Sequence, residues 1–492
     1  MFHVLANRAF SRCFSLSDNP DRDQNRALRR ILRGASRTEI SKRYGLDGVR
    51  SVNEYQKACP VHHYDDLKAY WQRLERGESD VLFHGTPTCF ALSSGTTGAQ
   101  KRIPVNEFLF TSYRNSQNRL LSVYLAEHCN SRLLDSKLLL ITGRSRIAET
   151  PAGIVCGVMS GISLEKLSPN RKKRAFPTIK TLNIADWHEK MRAMVREITG
   201  QKIAGVFGIP SILLAFLKFA KQTMTQEEFQ YFSDHLELCF VSGVAFQIYR
   251  DAICSTLGKE VHFFNFYAAS EAMMGYQVSG TSFFRLLTNK VFYEFLPFTE
   301  YQRGRYDTRL LITQLSEGEE YVLLVTNGSG AFSYVIGDVL RCARAGRIPL
   351  LELAGRTALT LNVVSEKTTI QAVEKVMGAL SKELGESPEE FVVTAKREGA
   401  RPNYVWVLQE CPAWQQTPPG WLENRLDELL CEHSPSYARY VGAQLAPCEV
   451  LFLNSGAFQS WLSARGTERG QQKIPRIVPD ISEVTRYLSG HV

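Results

Sequence analysis

Four short, mainly apolar runs free of Lys, Arg, Asp and Glu, at 138–141, 204–207, 238–241 and 261–266, constrain this chain more than any other feature. Runs of this kind, separated by stretches of helical length, are strands covered on both faces and alternating with helices. The middle of the chain is therefore expected to be a mixed α/β core. The residues before it, 1–85, read mainly as helices, with Thr38, Ile40 and Tyr44 in one and 64–74 in another. At 291–354 the character changes. Short β-rich pieces (292–296, 309–313, 321–326) lie between charged or glycine turns, the pattern of a small antiparallel barrel or sheet. Another change comes near Gly355: a helix at 369–384, a Ser-Pro loop, and strands at 391–394 and 404–408 read as a separate α+β unit. At 492 residues the chain is too long for one ordinary core, and the natural division is 1–355 and 356–492.

Composition narrows the function classes. Apolar residues at 44% and charged residues at 22% are ordinary globular values, which removes disordered, collagen-like and coiled-coil readings. The net charge of +9, from 59 basic and 50 acidic residues, suits an anionic ligand but is too dilute to indicate nucleic acid. Eleven cysteines form no CxxC pair and no zinc-ligand spacing, which favours a reducing, cytoplasmic setting. The longest uncharged apolar run, 203–217, contains Pro210 and falls short of a bilayer span, so no membrane partner is expected. Residues 1–16 carry Arg8 and Arg12 without an acid, as transit peptides do. The helical pattern continues through Leu28, Ile31 and Leu32, and an ordinary first helix is the reading taken.

Three motifs carry chemistry. In Ser93-Ser94-Gly95-Thr96-Thr97-Gly98-Ala99-Gln100-Lys101, glycines let backbone N–H groups approach an anion, hydroxyls add donors, and Lys101 adds a point charge. A Walker A loop needs Gly directly before Lys, and Gln100 stands there. The loop alone could equally be a surface turn. In Tyr267-Ala268-Ala269-Ser270-Glu271, a tyrosine, a hydroxyl and a carboxylate could stack a base, contact a phosphate and hold magnesium. A helix start capped by Ser270, with Glu271 in its first turn, accounts for the same residues. In Gly337-Asp338-Val339-Leu340-Arg341, Asp338 could accept from both hydroxyls of a ribose, or bond its own turn.

Taken in this order and spacing, with a small C-terminal unit following, the motifs resemble the adenylate-forming superfamily. Residues 94–101 are similar to its SGTTGxPK phosphate loop, with Gln100 in place of proline. The likeness is more specific to the Gretchen Hagen family of acyl-acid amido synthetases. It rests on Thr38-Glu39 with Tyr44-Gly45-Leu46, Pro60-Val61, Tyr64-Asp65-Asp66-Leu67, the phosphate loop through Pro104, Val335 to Arg341, and Gly470-Gln471-Gln472-Lys473-Ile474-Pro475-Arg476. The second motif departs from the pattern, with Ala268-Ala269 where Gly and Ser are common.

The resemblance implies an adenylate-forming synthetase fold: a large N-terminal domain of α/β subdomains plus a small β-barrel, and a small mobile C-terminal domain. It implies ATP and Mg²⁺, a small carboxylic acid activated as its acyl-adenylate, and transfer to an amino acid or other amine. By the same resemblance Ser93, Ser94, Gly95, Thr96, Thr97 and Lys101 would hold phosphates, and Ser242, Gly243 and Tyr267 would line the adenine. Ser270 would contact the α-phosphate, Glu271 would bind Mg²⁺, Asp338 would take the ribose, and Lys367 would touch the nucleotide. Lys473 would be the C-terminal lysine that reaches the α-phosphate. The acid would lie between the helix at 106–127, the 208–211 turn with Pro210, and the segment 241–246 with Val244; Arg119, or Arg114 beside it, could meet its carboxylate. Two alternatives share these residues: delivery to a thiol of coenzyme A or a carrier protein, and a nucleotide-binding protein without activity. The dense basic run 171–174 has no place in this chemistry and reads as a solvated loop.

Overall fold

The computed structural model describes residues 2–93, 101–242, 246–357, 360–361, 363–364, 366, 368–397, 401–454, 456–464, 474–478, 480–482 and 484–485. The apolar runs form strands Lys137–Leu140, Ile203–Gly208, Leu238–Val241 and His262–Ala269, which pair side by side in parallel. Neighbouring side chains on a strand point to opposite faces. Leu238 and Phe240 accordingly pack under the helix Glu107–Glu127 with Leu120 and Tyr124, while Cys239 and Val241 pack under helices Pro210–Thr223 and Gln247–Leu257. Both faces of Ile203–Gly208 and Leu238–Val241 are covered, which is why these two central strands show no polar alternation.

The strand direction then reverses. His262–Ala269 turns back through Ser270 and Glu271 into the antiparallel strand Ala272–Gln277, with Ala269 opposite Ala272. From there the order runs through Phe284–Leu286, Leu350–Arg356, Tyr334–Arg344 and Glu320–Thr326 to Phe292–Pro297. The β-rich stretch is antiparallel, and it is hydrogen-bonded into the same eleven-stranded sheet as the parallel half. The piece expected as a strand at 309–313 differs. Leu310 makes only a single bridge to Phe295, and Ile312–Gln314 is a short 3₁₀ turn. The side-chain oxygen of Gln314 accepts from the Leu311 N–H at 2.7 Å, closing a turn where a ladder would otherwise run.

The N-terminal helices seat on this sheet through buried polar contacts. The Gln24 amide donates to the carbonyls of Thr288 (2.7 Å) and Val291 (2.8 Å) and accepts from the Tyr293 N–H (2.7 Å). His62 follows the strand carrying Asp338: its N–H donates to Ser333 and its carbonyl accepts from Val335. Beyond Arg356, strands pair only with one another among the described residues: Thr360–Leu361 with Thr368–Thr369, and a small sheet in the order Glu449–Leu453, Asn403–Gln409, Phe391–Lys396, Ile477–Val478. Helices Ile370–Leu384 and Trp421–His433 cover that small sheet, the first capped by the Thr369 hydroxyl. The basic run 171–174 is exposed, and no described helix is long and apolar enough to cross a membrane.

Candidate functional site

The phosphate-loop motif sits on a β-hairpin. Cys89–Leu92 and Arg102–Val105 pair antiparallel with Leu92 opposite Arg102, and the Ser93 N–H donates to the Lys101 carbonyl at 2.9 Å. That bond closes the base of the loop and fixes where Lys101 begins. Ser94, Gly95, Thr96 and Thr97 lie outside the described residues, as do Gly243, Val244, Lys367 and Lys473. The Ser93 hydroxyl is buried and has no hydrogen-bond partner among the described residues, a donor placed for an oxyanion.

Tyr267 and Asp338 lie 71 residues apart and meet directly: the phenol donates to Oδ2 of Asp338 at 2.5 Å. Arg356, opposite Asp338 in the antiparallel ladder, donates from Nε to Oδ1 at 2.7 Å. Asp338 follows Gly337, whose φ of +97° is open to glycine but strained for other residues. The Gly337 carbonyl accepts from the Thr357 N–H at 2.8 Å, which holds this bend. Asp338 raises the pKa of Arg356, while burial and the neighbouring Asp338 raise that of Tyr267. The carboxylate is thus presented with fixed orientation and spare lone pairs.

Ser270 and Glu271 occupy the hairpin turn, so the helix-start alternative does not apply. The Asn327 amide donates to the Glu271 carbonyl at 2.8 Å, and buried Tyr113, on the helix Glu107–Glu127, donates to the Ala269 carbonyl. Two elements therefore clamp the turn. Burial raises the Glu271 pKa against the opposing pull of Lys101 and Arg356. Burial also lowers the Lys101 pKa against the attraction of Glu271. The Lys101 ammonium lies 4.6 Å from the centre of the Tyr64 ring, a cation–π contact. A buried carboxylate and a half-buried ammonium, each pushed off its ordinary pKa by burial, are groups that a divalent cation and a polyphosphate would complete. The donor set therefore fits Mg²⁺ on Glu271 and phosphate on Ser93 and Lys101.

Ser242 and Pro210 follow the adjacent strands Leu238–Val241 and Ile203–Gly208, so both stand at the same carboxyl edge of the parallel strands as Tyr267 to Glu271. Ligands bind at that edge in open α/β sheets. Pro210 opens its helix, where a missing N–H costs nothing. In the acid-pocket segment, Val241 is fully buried and Phe246 stacks on Phe263 with ring centres 5.4 Å apart. Arg119 is not brought to this group. Its guanidinium donates to the Ser15 carbonyl and, with the Asn289 amide turned to satisfy both residues, to Asn289 at 2.8 and 3.1 Å. Arg114 is exposed. Sequence reasoning assigned no role to Arg356 or Tyr64; the adjacent Gly355 and the quoted Tyr64-Asp65-Asp66-Leu67 block were the signals at hand.

Residues 11–203, 284–356 and 371–481 match the GH3 family N-terminal, central and C-terminal domains. Indole-3-acetic acid-amido synthetase GH3.4 of Arabidopsis thaliana is 21% identical over 97% of this chain and 92% of its own length. Jasmonoyl–L-amino acid synthetase JAR4 of Nicotiana attenuata is also 21% identical, over 97% of this chain and 94% of its own. The solved GH3.15 acyl acid amido synthetase shares the fold with a TM-score of 0.78 at 19% identity, covering 96% of this chain and 93% of that one. A 2-hydroxyisobutyryl-CoA ligase with a bound acyl-AMP gives 0.60 at 12% identity, over 95% and 90%. With all three domain types present in order along the chain, the protein belongs to the GH3 family.

Proposed function

We propose that this chain is an ATP-dependent acyl-acid amido synthetase. It activates a small carboxylic acid as an acyl-adenylate and passes the acyl group to an amino acid or another amine. The observation that carries the reading is the convergence of Asp338, Arg356 and Tyr267 with Lys101 and Glu271, from segments as far apart as residues 101 and 356.

A carboxylate is a poor acyl donor because its leaving group would be oxide. In the first half-reaction a carboxylate oxygen attacks the α-phosphorus of ATP, the bond to the β-phosphate oxygen breaks, and pyrophosphate leaves. In the second, the amine attacks the carbonyl carbon, the bond to the AMP oxygen breaks, and the nitrogen loses a proton. Neither step needs a covalent enzyme intermediate; both need positioning and charge neutralisation. Asp338, oriented by Tyr267 and Arg356, would accept from the ribose hydroxyls. Ser93 to Thr97 and Lys101 would hold phosphates, with Ser270 near the α-phosphate and Ser242 and Gly243 beside the adenine. Lys367 and Lys473 are assigned to the nucleotide from the C-terminal unit. Mg²⁺ on Glu271 would offset phosphate charge as pyrophosphate departs. Pro210 and Val244 are assigned to the acid pocket; Arg119, bonded to Ser15 and Asn289, is not retained there.

Pyrophosphate exchange into ATP that depends on an added acid tests the first half-reaction. Product mass with amino acids against coenzyme A then tests the second. An amide product is expected; a thioester would replace this reading with the coenzyme A ligase alternative, and no exchange across a broad acid panel would remove both.

A further inference from the structure

The small C-terminal unit meets the large sheet's helices along a seam whose centre is polar and largely buried. Apolar contacts make most of it: Ile248 and Tyr249 share a core with Val373, Val376 and Met377. Into this core the structure places Arg476, Glu390 and Tyr249, with Ser211 beside them. Arg476, 4% exposed, donates to the Glu390 carboxylate at 2.8 Å, to the Phe391 carbonyl at 3.0 Å and to the Tyr249 hydroxyl at 2.6 Å. Its guanidinium lies 4.1 Å from the Phe391 ring centre. The Tyr249 hydroxyl in turn donates to the Glu389 carbonyl at 3.3 Å. Burial raises the Glu390 pKa, and the opposing influences are Arg476 and the Ser211 hydroxyl.

The division of these groups between the two units is the informative point. Arg476 and Glu390 both belong to the C-terminal unit, so their charges stay mutually balanced wherever that unit goes. Tyr249 and Ser211 belong to the large unit. In the buried part of the seam, turning the C-terminal unit breaks only contacts to neutral hydroxyls; the Lys218–Glu389 pair that also spans it is exposed, so no buried charge is left uncompensated, the outcome that makes a buried ion pair prohibitive to open. A seam serving cohesion alone would gain more from apolar side chains. Directional bonds are satisfied in one orientation only. Ser211 also follows Pro210 in the turn assigned to the acid pocket, and Arg476 comes three residues after Lys473 in the chain.

We propose that Arg476, Glu390 and Tyr249 are positioning residues that latch the C-terminal unit in the orientation seen here, and so set the balance between acid activation and acyl transfer. The second clause rests on the two-step function proposed above. The latch itself is a statement about orientation and stands apart from it.

Tyr249→Phe keeps the ring in the core and removes the hydroxyl. Spin labels introduced as non-natural amino acids at exposed Glu227 and Glu432, one in each unit, report the distance between units in the full chain. Losing both bonds of the Tyr249 hydroxyl, from Arg476 and to the Glu389 carbonyl, shifts the latched population on the order of tenfold or more, so a second, displaced distance population is expected. Lys218→Ala breaks the exposed Lys218–Glu389 pair at 2.7 Å, which contributes little, and should leave the distribution as in the parent. Arg476→Met combined with Glu390→Gln removes the charged pair together and should also release the unit. An unchanged distribution in Tyr249→Phe, or an equal change in Lys218→Ala, overturns the latch. In exchange assays Tyr249→Phe should alter kcat for acid activation about fivefold or more, with KM for ATP and acid within about twofold. Transfer from supplied acyl-adenylate should not fall with it. A distance change with both half-reactions altered in equal proportion overturns the coupling. A parent without acid-dependent exchange overturns the two-step reading, and the distance measurement still judges the latch.

Discussion

Asp338 has a donor on each oxygen within the protein, Tyr267 on one and Arg356 on the other, at 2.5 and 2.7 Å. Asp338→Asn would turn an amide N–H₂ toward one of these two donors and lose an acceptor for the ribose. ATP affinity measured by calorimetry is expected to weaken by about 1–3 kcal/mol; unchanged affinity would take Asp338 out of the nucleotide site. His62 offers a stability test of the same kind. A backbone carbonyl only accepts, so Nδ1 carries the proton that bonds Phe332 (2.7 Å), and Nε2 accepts from the Tyr44 hydroxyl (3.1 Å). Burial lowers the His62 pKa below its ordinary 6.5. On acidification the unfolded chain takes up the proton first, so this contribution is complete above pH 6.5 and is lost as pH falls toward the lower folded value. Urea unfolding followed against pH should therefore show a slope below 6.5 that His62→Gln reduces. An identical slope in the two proteins would show that His62 does not titrate on unfolding.

Elements are tied to one another here by buried charge as well as apolar packing. Glu294 on the strand Phe292–Pro297 pairs with Arg309 at 3.2 Å, both almost fully buried. The carboxylate also accepts from the Ser333 hydroxyl (2.5 Å) and the Gln56 amide (3.2 Å). Gln56 belongs to the helix Val52–Ala58, and its carbonyl accepts from Arg309. Arg309→Met would leave the carboxylate unpaired and should cost about 3–5 kcal/mol of unfolding free energy in urea. Adding Glu294→Gln should recover a substantial part; simple additivity would mean that the pair is not coupled. This network also shows why sequence stops short. The apolar runs were readable because burial removes polar residues from a strand, whereas the helix Glu107–Glu127 entered only through the family resemblance, and its Asn106 cap is a finding of the structure. Residues 309–313 have strand-like composition, but Arg309 is drawn inward by Glu294 and Gln314 closes a turn, and both partners depend on the tertiary fold. The same holds at Ser270-Glu271, whose local signals suit a helix start and whose hairpin is decided by the pairing of Ala269 with Ala272. Asp338 could be picked from its motif, but its contacts with Tyr267 and Arg356 needed the strand register. The side of its helix that Arg119 faces was not fixed by spacing either.

At the scale of the whole molecule, the phosphate-loop hairpin and the segment that carries Lys473 are far apart in the chain, and among the described residues the strands after Arg356 pair only with one another. Lys473 itself lies outside the described residues, and its assignment to the α-phosphate is part of the proposed function. A cation delivered there from the second unit would offset charge that develops as the carboxylate attacks phosphorus, while adding little to the binding of ATP alone. Lys473→Ala is therefore expected to lower the acid-dependent exchange rate by about 10²-fold or more, with ATP dissociation changed far less. Amide formation from chemically supplied acyl-adenylate should persist, because the phosphate bond that needs the cation has already been made. The distance between Glu227 and Glu432 should also stay as in the parent, since the substitution leaves the bonds of Arg476, Glu390 and Tyr249 untouched. That pattern separates the two ways of losing acid activation: Tyr249→Phe moves the unit and keeps the lysine, whereas Lys473→Ala keeps the orientation and removes the charge. Near-parental exchange in Lys473→Ala would place the lysine on the surface and leave charge neutralisation to Lys101 and Mg²⁺ alone.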